Sequence, residues 1–532
     1  VWPLAWVVFG GNHVSHQGAH YLGKNSYVDV VVNGEGELTF QDLVIARLGG
    51  RSTENLSDVA GLSFWAANGS MTTTPDRGRI EHLDDIPSPL LSGALELTDG
   101  DGRFLYDVGL LETNRGCPYK CAFCYWGGAL GQKVRRFSRD RLRAEVELLA
   151  HHGVETIALC DANFGMFQSD LDFVTDVIDI KCSTGFPCAI ETSWAKNKSE
   201  NFRAIVRMMK QAGLKSSFTL ALQTLDDAAL ALMGRRNMAV NKWEELVDWL
   251  TAEGLECYAE LIWGVPGESI ATFLAGYDRL AEKISRIATY PLLLMPNTEY
   301  AANRDLHGFI TCRGDDDDFE YVLANRTLPF DENRHMQRFL YWSRLIGENQ
   351  VFRRVWRPLR LVCGLSQSDV LFMLDDWCRS CEDSAVRMLS GLAAGWVSPG
   401  SLAQGLRIVF GEPSVTEMFG HWWRAVIEPG VPEMWRNLLF EVFRLDLATM
   451  PVMGQRSELL ETVQRDGQSF YTAELKLQHD LPVVERAALG EYSPDVAEPA
   501  RQVVRVYYRT GFENYVDNHE EATHFFGRPE AG

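Results

Sequence analysis

Three cysteines, Cys117, Cys121 and Cys124, lie in the run Glu112-Thr-Asn-Arg-Gly-Cys-Pro-Tyr-Lys-Cys-Ala-Phe-Cys-Tyr-Trp-Gly-Gly128. Their C-x3-C-x2-C spacing suits three thiolates on one four-iron cluster. Such a set leaves the fourth iron without a protein ligand. An open iron can hold a substrate or cofactor, whereas a fully ligated cluster mostly transfers electrons. A zinc knot would need a fourth Cys or His at short spacing, usually in paired C-x2-C units, and none follows within the next two dozen residues.

The segment resembles closely the signature of the radical S-adenosylmethionine (SAM) family, including the aromatic Phe123 before the last cysteine. The elements around it must bring its thiolates to one place. Between residues 108 and 296 the pattern alternates between apolar strands, expected near 108–113, 156–160, 188–192, 217–222, 257–262 and 288–294, and amphipathic helices such as 139–151, 201–211 and 242–252. Gly153, Gly213 and Gly254 stand just past those helices as C-caps. Six such βα units predict an α/β fold, a (β/α)6 partial TIM-type barrel whose active site lies at the C-terminal ends of its strands.

The resemblance implies which strand-end residues meet SAM. Asp161 and Asn163 stand where the family's usual Gly-Gly-Glu contacts the methionine amine; an Asp can pair with an ammonium and an Asn can bond either end of the amino acid. Glu191 at the end of the third strand and Gln223 at the end of the fourth fall near the methionine carboxylate or the ribose, though each could equally serve a hydrogen bond inside the barrel mouth. Arg235 offers a guanidinium fork to the carboxylate, or simply ends a solvated helix. Ile262-Trp-Gly-Val-Pro-Gly-Glu268, with Pro266, resembles the adenine-side turn, and Met295-Pro-Asn-Thr298 the closing loop.

Upstream, residues 6–12 and 27–37 read as buried strands that end in Gly10-Gly11 and Gly34-Glu35-Gly36-Glu37, with a helix from Phe40 to Leu48. Near-continuous apolar strands with glycine at their C-terminal ends are typical of a doubly wound parallel sheet. Their order resembles the second half of the cobalamin-binding domain that precedes many radical SAM domains, with Gly10, Gly11, Gly34, Glu35, Gly36 and Glu37 near the cofactor. The first strands of that domain would lie before Val1. His13 and His16 read as ordinary loop residues, because His16-Gln-Gly18 has neither the spacing nor the place of a cobalt-ligating motif. The expected domains are a cobalamin-binding half-domain at 1–85 that includes a hairpin over 61–83, a linker at 86–107, the barrel at 108–300, and a mostly α-helical, substrate-covering domain at 301–532.

Acidic residues exceed basic ones by 21 in this chain of 532, which disfavours a nucleic-acid substrate. The run Asp315-Asp316-Asp317-Asp318 reads as a solvated loop. Eleven cysteines, three of them in a cluster that needs reduced thiolates, point to the cytoplasm rather than to a disulfide framework. No apolar run reaches the length of a membrane span. Cys378 and Cys381, two cysteines on a helical stretch, read as incidental.

Over its first three hundred residues the chain resembles a cobalamin-dependent radical SAM methyltransferase, near the tryptophan 2-C-methyltransferase type. That resemblance implies a 4Fe-4S cluster, SAM and cobalamin as cofactors. It also implies an external one-electron reductant of flavodoxin or ferredoxin type, and a small-molecule or peptide natural-product substrate, with no nucleic-acid or membrane partner. A methyl group would pass from SAM through cobalamin to carbon, with or without a 5'-deoxyadenosyl radical. A cobalamin-linked cyclase or rearrangement enzyme shares the same domains. A methylthiotransferase would carry three further cysteines before Cys117, and a non-catalytic scaffold would make the open iron purposeless.

Overall fold

Val30, Val31 and Val32 form a strand buried on both faces. The computed structural model to which it belongs describes residues 5–126, 133–195, 200–235, 240–255, 257–314, 317–465, 467–491, 500–514 and 523–531. Strand β1 (Val8–Phe9) pairs in parallel with β2 (Val30–Val32). Val31 packs against Tyr21 and Leu22 of helix α1 (Gly18–Lys24), whereas Val30 and Val32 join Leu43 and Ala46 of α2 (Glu37–Leu48) in a separate core. Helices on both faces of a parallel pair make the doubly wound layer the glycine-ended strands predicted. The hairpin of β3 (Leu62–Trp65) and β4 (Met71–Thr73) is not separate from that layer, because β3 pairs antiparallel with β2 and extends the same sheet. Helix α2 begins at Glu37 rather than Phe40, and an acid in its first turn suits the positive end of the helix dipole.

Two compact units divide the chain: Val1–Leu220, Asp227–Ala239 and Leu293–Val322 form the first, and Ala221–Asp226, Val240–Leu292 and Leu323–Gly532 the second. The first unit therefore carries both the doubly wound layer and the cysteine motif. Its barrel strands are β5 (Gly109–Leu111), β8 (Thr156–Phe164) and β9 (Ala189–Trp194), paired in parallel in the order β5-β8-β9. A short antiparallel ribbon, β6 (Asn114–Arg115) with β7 (Arg135–Arg136), brackets the cysteine loop. Helices α3 (Arg139–His151), α4 (Gln168–Thr184) and α5 (Glu200–Gln211) lie between the strands in sequence, and Gly153 and Gly213 take left-handed φ of 73° and 61° past α3 and α5. Strand β10 (Phe218–Gln223) crosses the boundary between the units, and α6 (Asp227–Leu232) follows it.

Two strands outrun their expected ends. Strand β8 continues to Phe164, and β9 to Trp194, with a register shift between Leu159 and Phe164. Aromatic packing accounts for the extension: the Phe164 ring meets Trp194 edge-on at 5.6 Å and Phe173 at 6.1 Å, and Ala195 N–H donates to the Phe164 carbonyl at 2.8 Å. Glu191 therefore sits in mid-strand opposite Ala158, not at a strand end.

The second unit contains helix α7 (Val240–Ala252) and the parallel strands β11 (Cys257–Trp263) and β12 (Arg286–Pro291). Helices from Phe330–Trp342 to Arg436–Ala448 follow, and Met336, Phe339, Leu340, Leu345 and Ile346 are all buried as their periodicity predicts. The mostly α-helical region expected over 301–532 also carries a sheet near its end. Strands Glu461–Arg465, Gln468–Leu477, Gln502–Arg509 and Arg528–Ala531 form an antiparallel sheet, in which Val504, Val506 and Tyr508 turn inward and alternate with exposed Val503, Arg505 and Arg509. Cys378 is buried on helix Gln367–Ser380 and Cys381 ends that helix; both are free thiols.

The acid run is not simply solvated. Asp318 accepts hydrogen bonds from Lys24 Nζ at 2.8 Å and Tyr21 Oη at 3.0 Å, which pins α1, while Asp317 takes the Tyr321 hydroxyl at 2.5 Å. Asp315 and Asp316 lie outside the described residues.

Candidate functional site

The cysteine loop is anchored at its base by a carboxylate. Asp161, fully buried on β8, accepts from Thr113 N–H at 2.8 Å, Asn114 N–H at 3.3 Å, Asn114 Nδ2 at 2.8 Å and the Thr113 hydroxyl. Burial pushes the Asp161 carboxyl up to about 7, against the pull of its Thr113 and Asn114 donors. Both oxygens are thus engaged in holding the strand that leads into the motif. In this structure Asp161 serves as a fixed point for the approach to the loop.

Asn163 comes two residues later on the same strand and faces the same way. Its Nδ2 stands 3.2 Å from Cys117 Sγ. The loop then closes through backbone contacts: Ala122 N–H donates to Met233 O at 2.9 Å, and Tyr300 N–H donates to Ala122 O at 3.0 Å. Cys117 and Cys121 are buried, while Phe123 and Cys124 are half-buried. Glycine is required at Gly116, where φ is 131° and a Cβ would stand 3.0 Å from Val134 Cα. Arg235 is buried immediately after Gly234, a glycine whose added Cβ would meet Lys120 O at 3.0 Å. Glu191 accepts from the Ser217 hydroxyl at 2.5 Å.

The glycine turns come to this same unit. Gly10 and Gly11 follow β1, and Gly34 and Gly36 follow β2, so both turns lie at the C-terminal edge of one parallel pair. Gly11 and Gly34 have φ of 97° and 75°, and nothing stands within 4 Å of where a Cβ would project. Ser15 joins them, its hydroxyl accepting from Gly34 N–H at 2.9 Å. The Asn297 side chain, from the loop after β12, donates to Ser15 O at 2.8 Å. His16 is a loop residue whose N–H donates to Asn33 Oδ1 at 2.7 Å.

Glu35 and Glu37 are occupied elsewhere. Arg135 forks onto Glu35, which also accepts from Ile80 N–H at 3.0 Å; Arg115 pairs with Glu37 at 2.7 Å and with Glu112 at 2.8 Å. Burial alone would raise the Glu35 carboxyl, but the Arg135 hydrogen bonds and the Ile80 N–H hold it below the usual range. Arg115 and Arg135 face each other across the β6–β7 ribbon. Each thus takes one acid from the turn after β2, so the turn is clamped to the ribbon that carries the cysteines. No sequence signal linked these pairs, which lie as far as 100 residues apart.

In the second unit, Gln223 ends β10 in a left-handed conformation, φ 68°, that is costly for a non-glycine residue. The neighbouring Thr224 hydroxyl donates to Glu268, which is buried with its other oxygen unpartnered. Pro266 lies in the turn between Gly264 and Gly267, both left-handed, and the turn is held by Asn325 Nδ2 on Gly264 O at 2.9 Å and Gly267 N–H on Thr327 Oγ1 at 2.9 Å. Burial pushes the Glu268 carboxyl up to about 8.

The residues fit the expected cofactors on two observations. Asn163 Oδ1 is a buried acceptor without a hydrogen-bond partner beside Cys117, as a site for a polar ligand next to a cluster would leave. Gly11 and Gly34 leave open space at the strand ends where a bulky cofactor would approach backbone. Among the described residues, no three His, Cys, Asp or Glu side chains are grouped to hold a single metal ion.

Residues 111–280 match the model of the radical SAM superfamily. The chain is 33% identical over 300 residues to the cobalamin-dependent radical SAM methyltransferase TokK of Streptomyces tokunonensis, a match covering 56% of this chain and 44% of that protein. It is 34% identical over 311 residues to the 2-(S-pantetheinyl)-carbapenam-3-carboxylate methyltransferase of Streptantibioticus cattleyicolor, covering 58% and 45% respectively. The chain spans less than half the length of these two relatives. The structure of the radical SAM methyltransferase TsrM from Kitasatospora setae, with cobalamin and a 4Fe-4S cluster bound, superposes with a TM-score of 0.48 at 17% identity, covering 63% of this chain and 71% of TsrM.

Three outcomes follow from the geometry. Asp161→Ala strands the buried donors of Thr113 and Asn114, so chemical denaturation should register a loss on the order of 3 kcal/mol together with reduced iron binding. Glu35→Gln leaves the Arg135 guanidinium buried without its counter-charge, for a loss of about 3 kcal/mol, and a cycle with Arg135→Gln should give a clearly non-zero coupling. The third concerns pH. The Glu268 carboxyl is raised above its ordinary 4.5, so the native state keeps a proton that the unfolded chain releases, and stability is lost as pH rises from about 4.5 towards about 8. Melting curves of Glu268→Gln should therefore lie increasingly above wild type across that window; a constant gap would contradict a neutral buried acid.

Proposed function

We propose that this chain, a radical SAM protein by its domain at residues 111–280, is a cobalamin-dependent C-methyltransferase acting on a small-molecule or peptide natural-product intermediate. The observation that carries the reading is the joining, within one compact unit, of the ribbon that carries the cysteine loop to the glycine turn after β2 through Arg115 and Arg135. A methyl group carried on cobalamin can reach a carbon near the cluster only if the two sites are held in fixed register. Two relatives named as methyltransferases, both over 30% identical, support the same reading.

Cys117, Cys121 and Cys124 would hold the cluster, and the turns at Gly10-Gly11 and Gly34 would admit cobalamin. Together these groups would supply reductive cleavage of a sulfonium and carriage of a methyl group. The chain's own residues do the positioning. Asp161 fixes the approach to the loop, and Asn163 Oδ1 offers an acceptor for the amine end of SAM. Arg235 is suited to a carboxylate, and the buried walls of the loop exclude water. The electron comes from an external one-electron reductant of flavodoxin or ferredoxin type.

The test uses the full chain, reconstituted anaerobically with iron, sulfide and cobalamin, and SAM labelled in its methyl group. A pantetheinylated carbapenam is a first candidate substrate, since one relative's name specifies it. Label should enter a carbon of the product only when cobalamin is present, and Cys121→Ala should abolish SAM cleavage. Deoxyadenosine release with an unmethylated, cyclised or rearranged product would replace the methyltransferase reading with that of a cyclase.

A further inference from the structure

We propose that Asn163 is a positioning residue for the cluster, its side-chain amide N–H bonding the Cys117 sulfur and raising the potential at which the cluster accepts an electron. This rests on the reading of Cys117, Cys121 and Cys124 as cluster ligands. The contact is direct, 3.2 Å from Nδ2 to Sγ, and both residues are buried. A ligating thiolate can only accept, so the amide must present its N–H edge to sulfur; the opposite flip would set two acceptors against each other. The chosen orientation also explains why Oδ1 is left as the unpartnered atom.

The strand makes this donor rigid. Two residues before it, Asp161 is fixed by its bonds to Thr113 and Asn114; one residue after it, Phe164 is locked against Trp194 and Phe173, with its carbonyl taken by Ala195 N–H. The Asn163 backbone therefore cannot shift without breaking one of these anchors, so the side chain is presented to Cys117 from a fixed point. A buried cluster carrying three thiolates is already negative, and the electron arriving from the external donor adds one more charge in a medium of low dielectric. An N–H dipole directed at sulfur draws density from the thiolate and stabilises the reduced form more than the oxidised one. Reduction by a donor of modest potential becomes easier.

The test measures the cluster itself. In the anaerobically reconstituted full chain, Asn163→Leu keeps the shape and removes the donor, and Asn163→Asp replaces it with a charge of the cluster's own sign. Iron and sulfide content should match wild type, while the midpoint potential, followed by electron paramagnetic resonance during a redox titration, should shift down in the Leu variant and further down in the Asp variant. A merely structural role would not order the two in that way. Should either variant fail to retain its cluster, wild-type protein labelled with 15N asparagine decides the matter, because a bonded Nδ2 gives a nitrogen hyperfine coupling to the reduced cluster. Unchanged potentials in fully loaded variants, or no such coupling in wild type, would overturn the inference while leaving the ligand assignment standing. Wild-type protein that binds no iron and sulfide would overturn the ligand assignment itself, and the inference with it.

Discussion

A buried carboxylate sets the geometry on which the cysteine loop depends. Taking Asp161 out of water is costly, and the cost is offset only by the ring of donors that Thr113 and Asn114 direct at its two oxygens. The balance is close, as a carboxyl raised to about 7 testifies. Because the donors come from Thr113, two residues past β5, and Asn114, which begins β6, the bonds fix the point at which the chain leaves the β5 strand to form the loop. Asn163 extends the same logic by one strand repeat, reaching from β8 to Cys117 itself. The strand thus holds both the approach to the loop and its first cysteine.

Electrostatics ties this loop to the doubly wound layer. The turn after β2 places Glu35 and Glu37 two residues apart, and the β6–β7 ribbon places Arg115 and Arg135 opposite each other, so acids and guanidiniums meet as two pairs rather than one. A single surface ion pair contributes little, but a bidentate arginine with a buried side chain is geometrically specific and resists screening. The same acids were expected to face a cofactor. In this structure they serve as a clamp, while Gly11 and Gly34 leave backbone open beside the strand ends.

Motif and periodicity made much of this legible. All six barrel strands appear where their apolar runs lie, α3 has its expected bounds, and the glycines past the helices take the left-handed conformations that end helices. The parallel pair with glycine turns was equally readable from unbroken valine runs. The C-terminal sheet was also present in the sequence, as the alternation of Val504, Val506 and Tyr508 with Val503, Arg505 and Arg509, but the surrounding helical periodicity masked it. Strand ends were the weak point. Polar residues such as Asp161 and Asn163 look like loop, and only the packing of Phe164 on Trp194 carries β8 past them.

By itself the sequence determined the chemistry available: three thiolates at a cluster spacing, a parallel sheet with glycine at its ends, and a strand-helix alternation that builds parallel β-sheet. These are local properties, set by spacing and by the period of burial. Tertiary structure decided which polar group does which task. Asp161 holds backbone, Glu35 and Glu37 hold arginines, Glu191 sits in mid-strand, and Asn163 touches sulfur. A side chain's role depends on the donors and charges that desolvation forces it to find, and those partners come from segments dozens of residues away whose approach no local pattern encodes.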